Sequence, residues 1–309
     1  MKYIVLSTTV WDSIFLPGRG GEINAVGGAG IYALAGMKVW EDDIGIVTGV
    51  GADYLPKFRG WYEQNSIPTD GLIVKDAFTP HTIIRYRADG ERTETPMYGI
   101  DHYRKIEGTP EDLARFAPDA DGVYVFKNAD GAFWKRILEL KRQYGFRLLW
   151  EIGADAAVKK LQGAVLDIAR QTEMFSINLT EARTLFGCTE HGDVIRALGE
   201  SGIPLVYLRN GSSGTYLIRA DEVVHVPSVQ NASVVDATGG GNSSTGGALI
   251  GLCRNCSLTE IGAMGNVSAS FCIAQYGVPP RFDAAVRDEA TRRKEAILRA
   301  CKEEGSYEQ

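Results

Sequence analysis

The 309-residue sequence is short of the residues that build metal centres, disulfide frameworks and membrane spans. Its four histidines are scattered, and its five cysteines are an odd number without a disulfide pattern. Cys253 and Cys256 form a C-x-x-C pair with no second Cys or His pair, so we expect buried, reduced thiols on a helix rather than zinc ligands. No stretch reaches the ~20 apolar residues that a membrane-spanning helix needs, and no membrane partner is expected.

The chain also lacks an excess of basic charge. Its formal net charge is −6, and acidic and basic residues are mixed along its length. A protein that coats nucleic acid usually concentrates Lys and Arg on one face, so we expect no nucleic-acid partner. Residues 1–17 show no cationic segment ahead of a long apolar core, which favours a first β-strand over a signal peptide and predicts a cytoplasmic protein.

Short apolar runs alternate with amphipathic segments, without a repeat, a linker or a low-complexity tract. This alternation predicts a mostly parallel sheet with helices on both faces, within one domain of residues 1–309. The predicted strands are Tyr3–Ser7, Ile44–Thr48, Gly122–Phe126, Phe146–Trp150, Met174–Ile177, Leu205–Leu208, Gly214–Ile218 and Glu222–Pro227. The predicted helices are Ala132–Tyr144, Ala156–Arg170, Asp193–Ser201, Asn242–Leu252 and Leu258–Tyr276.

One region breaks the alternation of strands and helices. Thr82–Arg87 and Glu91–Thr95 flank the turn signal Ala88-Asp89-Gly90, which predicts a two-stranded ribbon with no following helix to cover it. Trp11–Leu16 is a candidate to pair with this ribbon. The pattern leaves two interpretations open, a small β lid over a cleft and an ordinary edge hairpin.

The most informative segment is glycine-rich. An apolar run ending at Val235 leads into Gly239, Gly240 and Gly241, and a helix of small residues follows. Glycines let the backbone approach a ligand closely, and the N–H groups at a helix start bind anions. Three consecutive glycines therefore favour an anion site over a plain turn. The segment is not a Walker A loop, because no Lys-Ser/Thr follows the glycines.

Residues 236–242, with the sequence DATGGGN, resemble the D-T-x-G-A-G-D signature of the ribokinase-like (PfkB) sugar and nucleoside kinases. The resemblance covers almost the whole chain, because other motifs follow in the family's order. These are Asp12 after the first strand, Gly27-Gly28 with Tyr32, the N-x-x-E motif Asn178–Glu181, the loop Arg209–Gly214, and a late helix with Asn266 and Ser270.

The resemblance implies a three-layer α/β/α ribokinase-like fold, with a mostly parallel central sheet and a small β-stranded lid formed by residues 11–24 and 80–97. It implies ATP and Mg²⁺, allows a monovalent cation, and suggests a homodimer formed through the lid. The acceptor would be the hydroxymethyl group of a sugar or nucleoside-like molecule. The implied acceptor-site residues are Asp12, Gly27, Gly28 and Tyr32; the nucleotide-site residues are Asn178, Arg209, Gly211, Gly214, Asn266 and Ser270; Glu181 is the metal residue; Gly239, Gly240, Gly241 and Asn242 are catalytic.

Asn242 departs from the signature, which ends in the Asp that takes the acceptor's hydroxyl proton. A neutral amide is not a base, and losing a general base typically costs roughly 10²–10⁴-fold in rate. Other carboxylates offer no clear replacement: by the resemblance Asp236 supports the loop, Asp12 faces the acceptor from its far side, and Glu181 belongs to the metal shell. Tyr32 also stands where the family has Asn, which suggests altered acceptor contacts.

Three functions are therefore compared. The first is an ATP-dependent small-molecule kinase that works slowly, and the second is a pseudokinase that binds nucleotide or sugar without turnover, which Asn242 favours. The third is a dinucleotide-dependent oxidoreductase, because residues 28–33 formally fit G-x-G-x-x-A. That motif needs a clear preceding strand, and residues 24–26 form a short, mixed segment, so the third function is the weakest.

Overall fold

The computed structural model describes residues 1–88 and 91–306 and is built on a sheet of nine strands in the order β13-β12-β11-β10-β9-β8-β1-β4-β5. Strands β8 to β11, β1, β4 and β5 pair in parallel, whereas β12 and β13 are antiparallel additions at one edge. The strands are β1 Tyr3–Leu6, β4 Ile44–Gly51, β5 Leu72–Asp76, β8 Gly122–Lys127, β9 Arg147–Ile152, β10 Met174–Asn178, β11 Val206–Arg209, β12 Thr215–Ile218 and β13 Val223–Val226.

Helices cover both faces of this sheet. They are α1 Ala29–Lys38, α2 Tyr54–Gln64, α3 Ile100–Ile106, α4 Pro110–Ala114, α5 Gly131–Tyr144, α6 Gln162–Ala169, α7 Leu179–Phe186, α8 His191–Gly199, α9 Gly240–Cys253, α10 Leu258–Cys272 and α11 Ala284–Ser306. Alternate residues of a strand point to opposite faces, and in β1 Tyr3 and Val5 join one hydrophobic cluster while Ile4 and Leu6 join the other. The expected three-layer arrangement is confirmed.

Two predicted helices differ from the observed ones by four or more residues at one end. The helix expected over Ala156–Arg170 begins at Gln162, because the N–H groups of Ala156 and Ala157 close local turns onto Gly153 and Ala154. The helix expected over Leu258–Tyr276 ends at Cys272. The carbonyl group of the next residue, Ile273, instead accepts hydrogen bonds from the N–H groups of Val235 and Asp236, at 2.8 and 3.1 Å. The helix end thus holds the segment that leads to the three glycines.

Helices α1 and α9 lie unusually close together. A β-carbon on Gly36 would lie 2.0 Å from the carbonyl oxygen of Ser243, and one on Gly246 would lie 2.1 Å from that of Ala33. Side chains at these positions would force the two backbones apart. The small residues of α9 therefore serve helix packing as well as the chain turn before it.

A second, four-stranded sheet stands apart from the main one, with the order β3-β2-β6-β7. Its strands are β2 Val10–Phe15, β3 Ile23–Gly27, β6 His81–Tyr86 and β7 Arg92–Pro96. The pairing expected for Trp11–Leu16 is confirmed, since Trp11 aligns with His81 in the parallel β2–β6 register. Of the predicted turn, Asp89 and Gly90 lie outside the described residues. Strand β3 was not predicted, because its sequence INAVG is short and mixed.

Candidate active site

The predicted site residues gather where the parallel strands end. The carboxyl ends of parallel strands meet at one edge of a sheet, which is where open α/β folds place their ligand sites. Asn178 is the last residue of β10, Arg209 is the last residue of β11, and helix α9 begins beside them with Gly240. Three segments far apart in sequence therefore form one edge of a cleft.

The glycine segment builds the turn into α9. Gly239 has φ 73°, a left-handed conformation that suits glycine. Its α-carbon lies against the ring of Tyr32, where a β-carbon would come within 2.0 Å of ring atoms. The N–H group of Gly240 closes the turn onto the carbonyl oxygen of Ala237. Within the described part of the chain, the N–H groups of Gly241 and Asn242 have no acceptor, so they are the donors available to an anion.

The guanidinium group of Arg209 lies directly against this helix start. A β-carbon on Gly241 would be 2.2 Å from Arg209 Nη1, so a side chain at this position would displace the guanidinium group. Arg209 Nη1 pairs with Glu151 at 3.1 Å, and Nη2 lies 3.7 Å from Glu181. Its Nε is buried and has no hydrogen-bond partner among residues 1–88 and 91–306. The turn therefore has a guanidinium group beside it that is held between two carboxylates.

Asn242 belongs to a buried polar network that sequence reasoning missed. Its Nδ2 donates to Glu151 Oε1 at 2.9 Å and reaches the hydroxyl of Tyr124 at 3.4 Å. The Tyr124 hydroxyl donates to Glu151 Oε2 at 2.8 Å. Burial, followed by the charge of Glu151, raises the pKa of Tyr124 well above its ordinary value, so the phenol keeps its proton and remains a donor.

The N-x-x-E motif forms a capping box at the start of α7. Asn178 Oδ1 accepts the N–H of Glu181 at 2.9 Å, and Glu181 Oε2 accepts the N–H of Asn178 at 3.0 Å. Burial raises the pKa of Glu181, and the charge of Arg209 opposes that rise. The motif therefore has a complete structural role before any ligand is considered.

A magnesium ion fits this edge only in one way. Within the described ranges there is no cluster of three or more His, Cys, Asp or Glu side chains that could enclose a metal. Mg²⁺ does not require such a cage, because it keeps several waters and binds through one or two carboxylates plus the phosphates of a substrate. Glu181 could supply one such carboxylate, because its Oε1 is outside the capping box. The donor set suits a metal that arrives with a nucleotide.

A cavity of about 360 Å³ opens beside the helix start. Arg209, Gly211, Gly214, Asn266 and Ser270 line it together with Gly240 and Gly241, so most of the predicted nucleotide residues are brought together. Asn178 is not among the lining residues. Asn266 stabilises the wall of the cavity, because its Nδ2 donates to the carbonyl oxygens of Val226 and Pro227, at 3.0 and 2.9 Å.

The predicted acceptor residues lie on the other side of the glycine turn. Asp12, in β2, is 7% exposed and lies against Gly27, at the end of β3. No group in the described part of the chain donates a hydrogen bond to its carboxylate. Burial, helped by Glu94 and opposed by Arg92, raises the pKa of Asp12 to about 7. Such a buried carboxylate, without donors, is ready to accept hydrogen bonds from a ligand.

The other two predicted acceptor residues, Gly28 and Tyr32, lie at the start of α1. Gly28 precedes the helix, and Tyr32 lies one turn inside it, with its ring on Gly239. Burial, and then the charges of Asp12 and Asp236, raise the pKa of Tyr32 well above its usual range. The phenol therefore stays protonated and can donate a hydrogen bond.

Asp236 joins the glycine turn to the small sheet. Its Oδ1 accepts hydrogen bonds from the N–H and hydroxyl groups of Thr238, at 3.0 and 2.6 Å, which stabilises the turn. The same oxygen pairs with Arg92 of β7 at 3.1 Å. Tyr86 of β6 also packs edge-on against Tyr276, with ring centroids 5.1 Å apart. The small sheet therefore contacts the main body beside the glycine turn.

The sequence matches a known protein family over most of its length. The description "pfkB family carbohydrate kinase" applies to a family model that matches residues 23–282. An uncharacterised protein of Schizosaccharomyces pombe is 25% identical, with 90% of this chain and 86% of that protein aligned. The cytidine kinase of Thermococcus kodakarensis is 26% identical over 90% of this chain and 98% of its own length.

Solved structures agree on the fold. The structure of Arabidopsis thaliana ribokinase complexed with ribose and ATP has a TM-score of 0.75, at 17% identity, with 94% of this chain and 98% of that chain covered. The ribokinase-like fold expected from the sequence is confirmed. No helix within residues 1–88 and 91–306 is both long and apolar enough to cross a bilayer.

Proposed function

Because the chain belongs to the pfkB family of carbohydrate kinases, we propose that it transfers the γ-phosphoryl group of ATP to the hydroxymethyl group of a sugar or nucleoside-like acceptor. One observation carries the proposal. The glycine turn has the cavity of about 360 Å³ on its Gly241 side, and on its Gly239 side it has Tyr32 with the buried Asp12 nearby. A phosphoryl donor and a hydroxyl acceptor would therefore meet at the start of α9.

The chain's own groups suit the charge that develops during this transfer. Phosphoryl transfer depends mainly on positioning and on electrostatic stabilisation. The free N–H groups of Gly241 and Asn242 and the guanidinium of Arg209 would bind the phosphoryl oxygens. Mg²⁺, when bound with the nucleotide near Glu181, supplies further positive charge to the phosphates.

The acceptor is held from the opposite side. Asp12 would accept hydrogen bonds from its hydroxyl groups, and Asn242 would accept one from the hydroxyl that reacts. The acceptor oxygen forms a bond to the γ-phosphorus as the bond to the β–γ bridging oxygen breaks, and ADP leaves with that electron pair. The hydroxyl proton passes to an oxygen of the transferred phosphoryl group and then to water, because Asn242 cannot take it.

The relatives support an acceptor that carries a ribose-like group. One is a cytidine kinase, and the ribokinase structure contains ribose and ATP. The carboxylates Asp12, Glu94 and Asp236 around the pocket disfavour an acceptor that already carries a phosphate.

A homodimer formed through the small sheet is part of the proposal, and sedimentation analysis tests it.

Asn242 favours a second candidate, a protein that binds nucleotide and sugar in the same pockets without turnover. The two candidates share every binding contact. They differ only in whether oriented groups without a base suffice for transfer, so measured turnover decides between them.

The test is ADP release from Mg-ATP in the presence of pentoses, hexoses and nucleosides. Gly241→Ala would push its β-carbon into Arg209 Nη1, and we expect it to lower turnover by about 10²-fold, as for loss of one preorganised donor. Gly60→Ala is the matched control, because that helical position has open space around it. Acceptor-dependent ADP release that only Gly241→Ala reduces supports the kinase. Nucleotide binding by calorimetry without ADP release supports the second candidate.

A further inference from the structure

Glu151 is a buried acid that the proposed reaction has not yet used. It lies in strand β9, within the apolar run 148–152, and is 1% exposed. A carboxylate at this depth is stable only when donors surround it. Three donors do so: Tyr124 at 2.8 Å, Asn242 at 2.9 Å and Arg209 at 3.1 Å. A negative charge is therefore held next to Asn242, which stands where the family signature has its proton-accepting Asp.

This charge fixes which way the Asn242 amide points. The two ends of a side-chain amide have almost the same shape, so only its hydrogen-bond partners select its orientation. With Nδ2 against Glu151 Oε1, the amide donates to a carboxylate; the flipped amide would place Oδ1 against that oxygen, and two acceptors repel. In the described part of the chain Oδ1 has no donor, so it is available to a hydroxyl group of the acceptor.

We propose that Glu151 is a positioning residue of this site: its carboxylate holds Asn242 with Oδ1 turned toward the reacting hydroxyl group. In this arrangement the carboxylate belongs to strand β9, and the amide of Asn242 would stand between it and the acceptor. The catalytic part of this inference rests on the proposed function, whereas the pairing of Glu151 with Asn242 does not.

An exchange of the two side chains follows from this pairing. Asn242→Asp alone would place two carboxylates about 2.9 Å apart, and like charges at that distance cannot both be ionised. Glu151→Gln alone would leave two amides and no charge to select their orientation. The double exchange combines Glu151→Gln with Asn242→Asp. It restores one carboxylate and one amide, with the carboxylate at position 242.

The first experiment measures kcat, the KM of each substrate and the melting temperature for wild type, both single variants and the double exchange. We expect Glu151→Gln to lower kcat by about 10–100-fold with the KM of ATP changed less than threefold. We expect Asn242→Asp to lower the melting temperature by about 5 °C or more, and the double exchange to recover most of that loss. Glu173→Gln, which removes an ion pair with Lys141 at 2.8 Å, is the matched control.

A second cycle separates positioning from simple charge balance, because Glu151 also pairs with Arg209. In an Asn242→Ala background, a positioning residue has nothing left to orient, so adding Glu151→Gln should change kcat less than twofold. If Glu151 served only as the counter-ion of Arg209, the full 10–100-fold loss would persist in that background and the proposal would be overturned.

The outcomes also distinguish this proposal from the proposed function. If wild type and every variant bind neither nucleotide nor acceptor, the kinase proposal fails, and the pairing is judged by melting temperature alone. A double exchange that melts no higher than Asn242→Asp would overturn the pairing, whatever the activity. Recovery of melting temperature together with kcat supports both proposals.

Discussion

Two buried carboxylates, Asp12 and Glu151, lie on either side of the glycine turn in opposite circumstances. Glu151 accepts from Tyr124, Asn242 and Arg209, whereas Asp12 has no donor in the described part of the chain. Burial raises the pKa of Asp12 to about 7, against a neighbouring Arg92 that only partly offsets it. One carboxylate is satisfied by the protein, and the other is left for a ligand to satisfy.

The number of donors distinguishes a residue that positions other side chains from one that contacts a ligand. A buried charge with a full set of donors fixes the orientation of the side chains that donate to it, because each of them is held by a hydrogen bond. A buried charge without donors makes folding less favourable, and it persists where a ligand supplies the missing hydrogen bonds. We therefore assign Glu151 to orientation and Asp12 to acceptor binding.

Removing the charge partner of Glu151 should have the largest effect. Arg209→Met leaves a buried carboxylate with only neutral donors, and we expect the free energy of unfolding to fall by about 3–5 kcal/mol. Denaturant titration measures this change. Adding Glu151→Gln should recover most of it, whereas the exposed Arg219→Met control should change it by less than about 0.5 kcal/mol. A loss below about 1 kcal/mol for Arg209→Met would contradict the assignment.

Neutralising the other carboxylate should affect binding instead. Hydrogen bonds to a charged acceptor contribute about 1.5–3 kcal/mol, so we expect Asp12→Asn to raise the KM of the sugar or nucleoside by about 10–100-fold. Steady-state kinetics at saturating ATP measures it, with the exposed Asp70→Asn as the control. A KM within twofold of wild type would remove Asp12 from the acceptor site.

The pH dependence of the same carboxylate sharpens this test. Asp12 must be ionised to accept strongly, so the acceptor KM should rise as pH falls below about 7, by at most about tenfold per pH unit. Its pKa is higher in the folded chain than the ordinary value near ~3.9, so its contribution to stability is greatest below pH ~4 and is lost as pH rises to about 7. Both dependences should disappear in Asp12→Asn, and their persistence there would assign them to another group.

The contact between the small sheet and Asp236 should have the smallest effect. Arg92 is partly exposed, and ion pairs of that kind contribute up to about 1 kcal/mol, so Arg92→Met should raise the acceptor KM by about three- to fivefold. Arg85→Met is the control from the same sheet, since Arg85 stacks on Phe15 instead. Equal effects of the two variants would show that the Asp236 contact is not what matters.

Local rules made much of the fold and part of the site predictable. The three glycines predicted a turn and a helix start, and the spacing of Asn178 and Glu181 matches the observed capping box. The alternation of apolar runs and amphipathic segments predicted six of the seven parallel strands to within a few residues and missed β5, Leu72–Asp76. The pfkB family match confirms the kinase class expected from the order of motifs.

What escaped prediction depends on contacts between distant segments. Glu151 lies in an apolar strand, and its partner Asn242 is 91 residues away, so no spacing rule connects them. An acid inside the run LLWEI was the only signal. Likewise, nothing in the loop sequence indicates that Arg209 turns back onto Gly241. Pairwise geometry of this kind exists only after the sheet has brought its strand ends together.

The close packing of α1 against α9 has a consequence for which acceptors are tolerated. Tyr32 belongs to α1 and the glycine turn opens α9, and the contacts at Gly36 and Gly246 leave no room for the helices to slide. We therefore expect the position of Tyr32 to be fixed when the protein folds rather than to adapt to each acceptor. Under the proposed function, the choice of acceptor at this point would follow from helix packing, so substitution of those small residues would alter it without changing a binding residue.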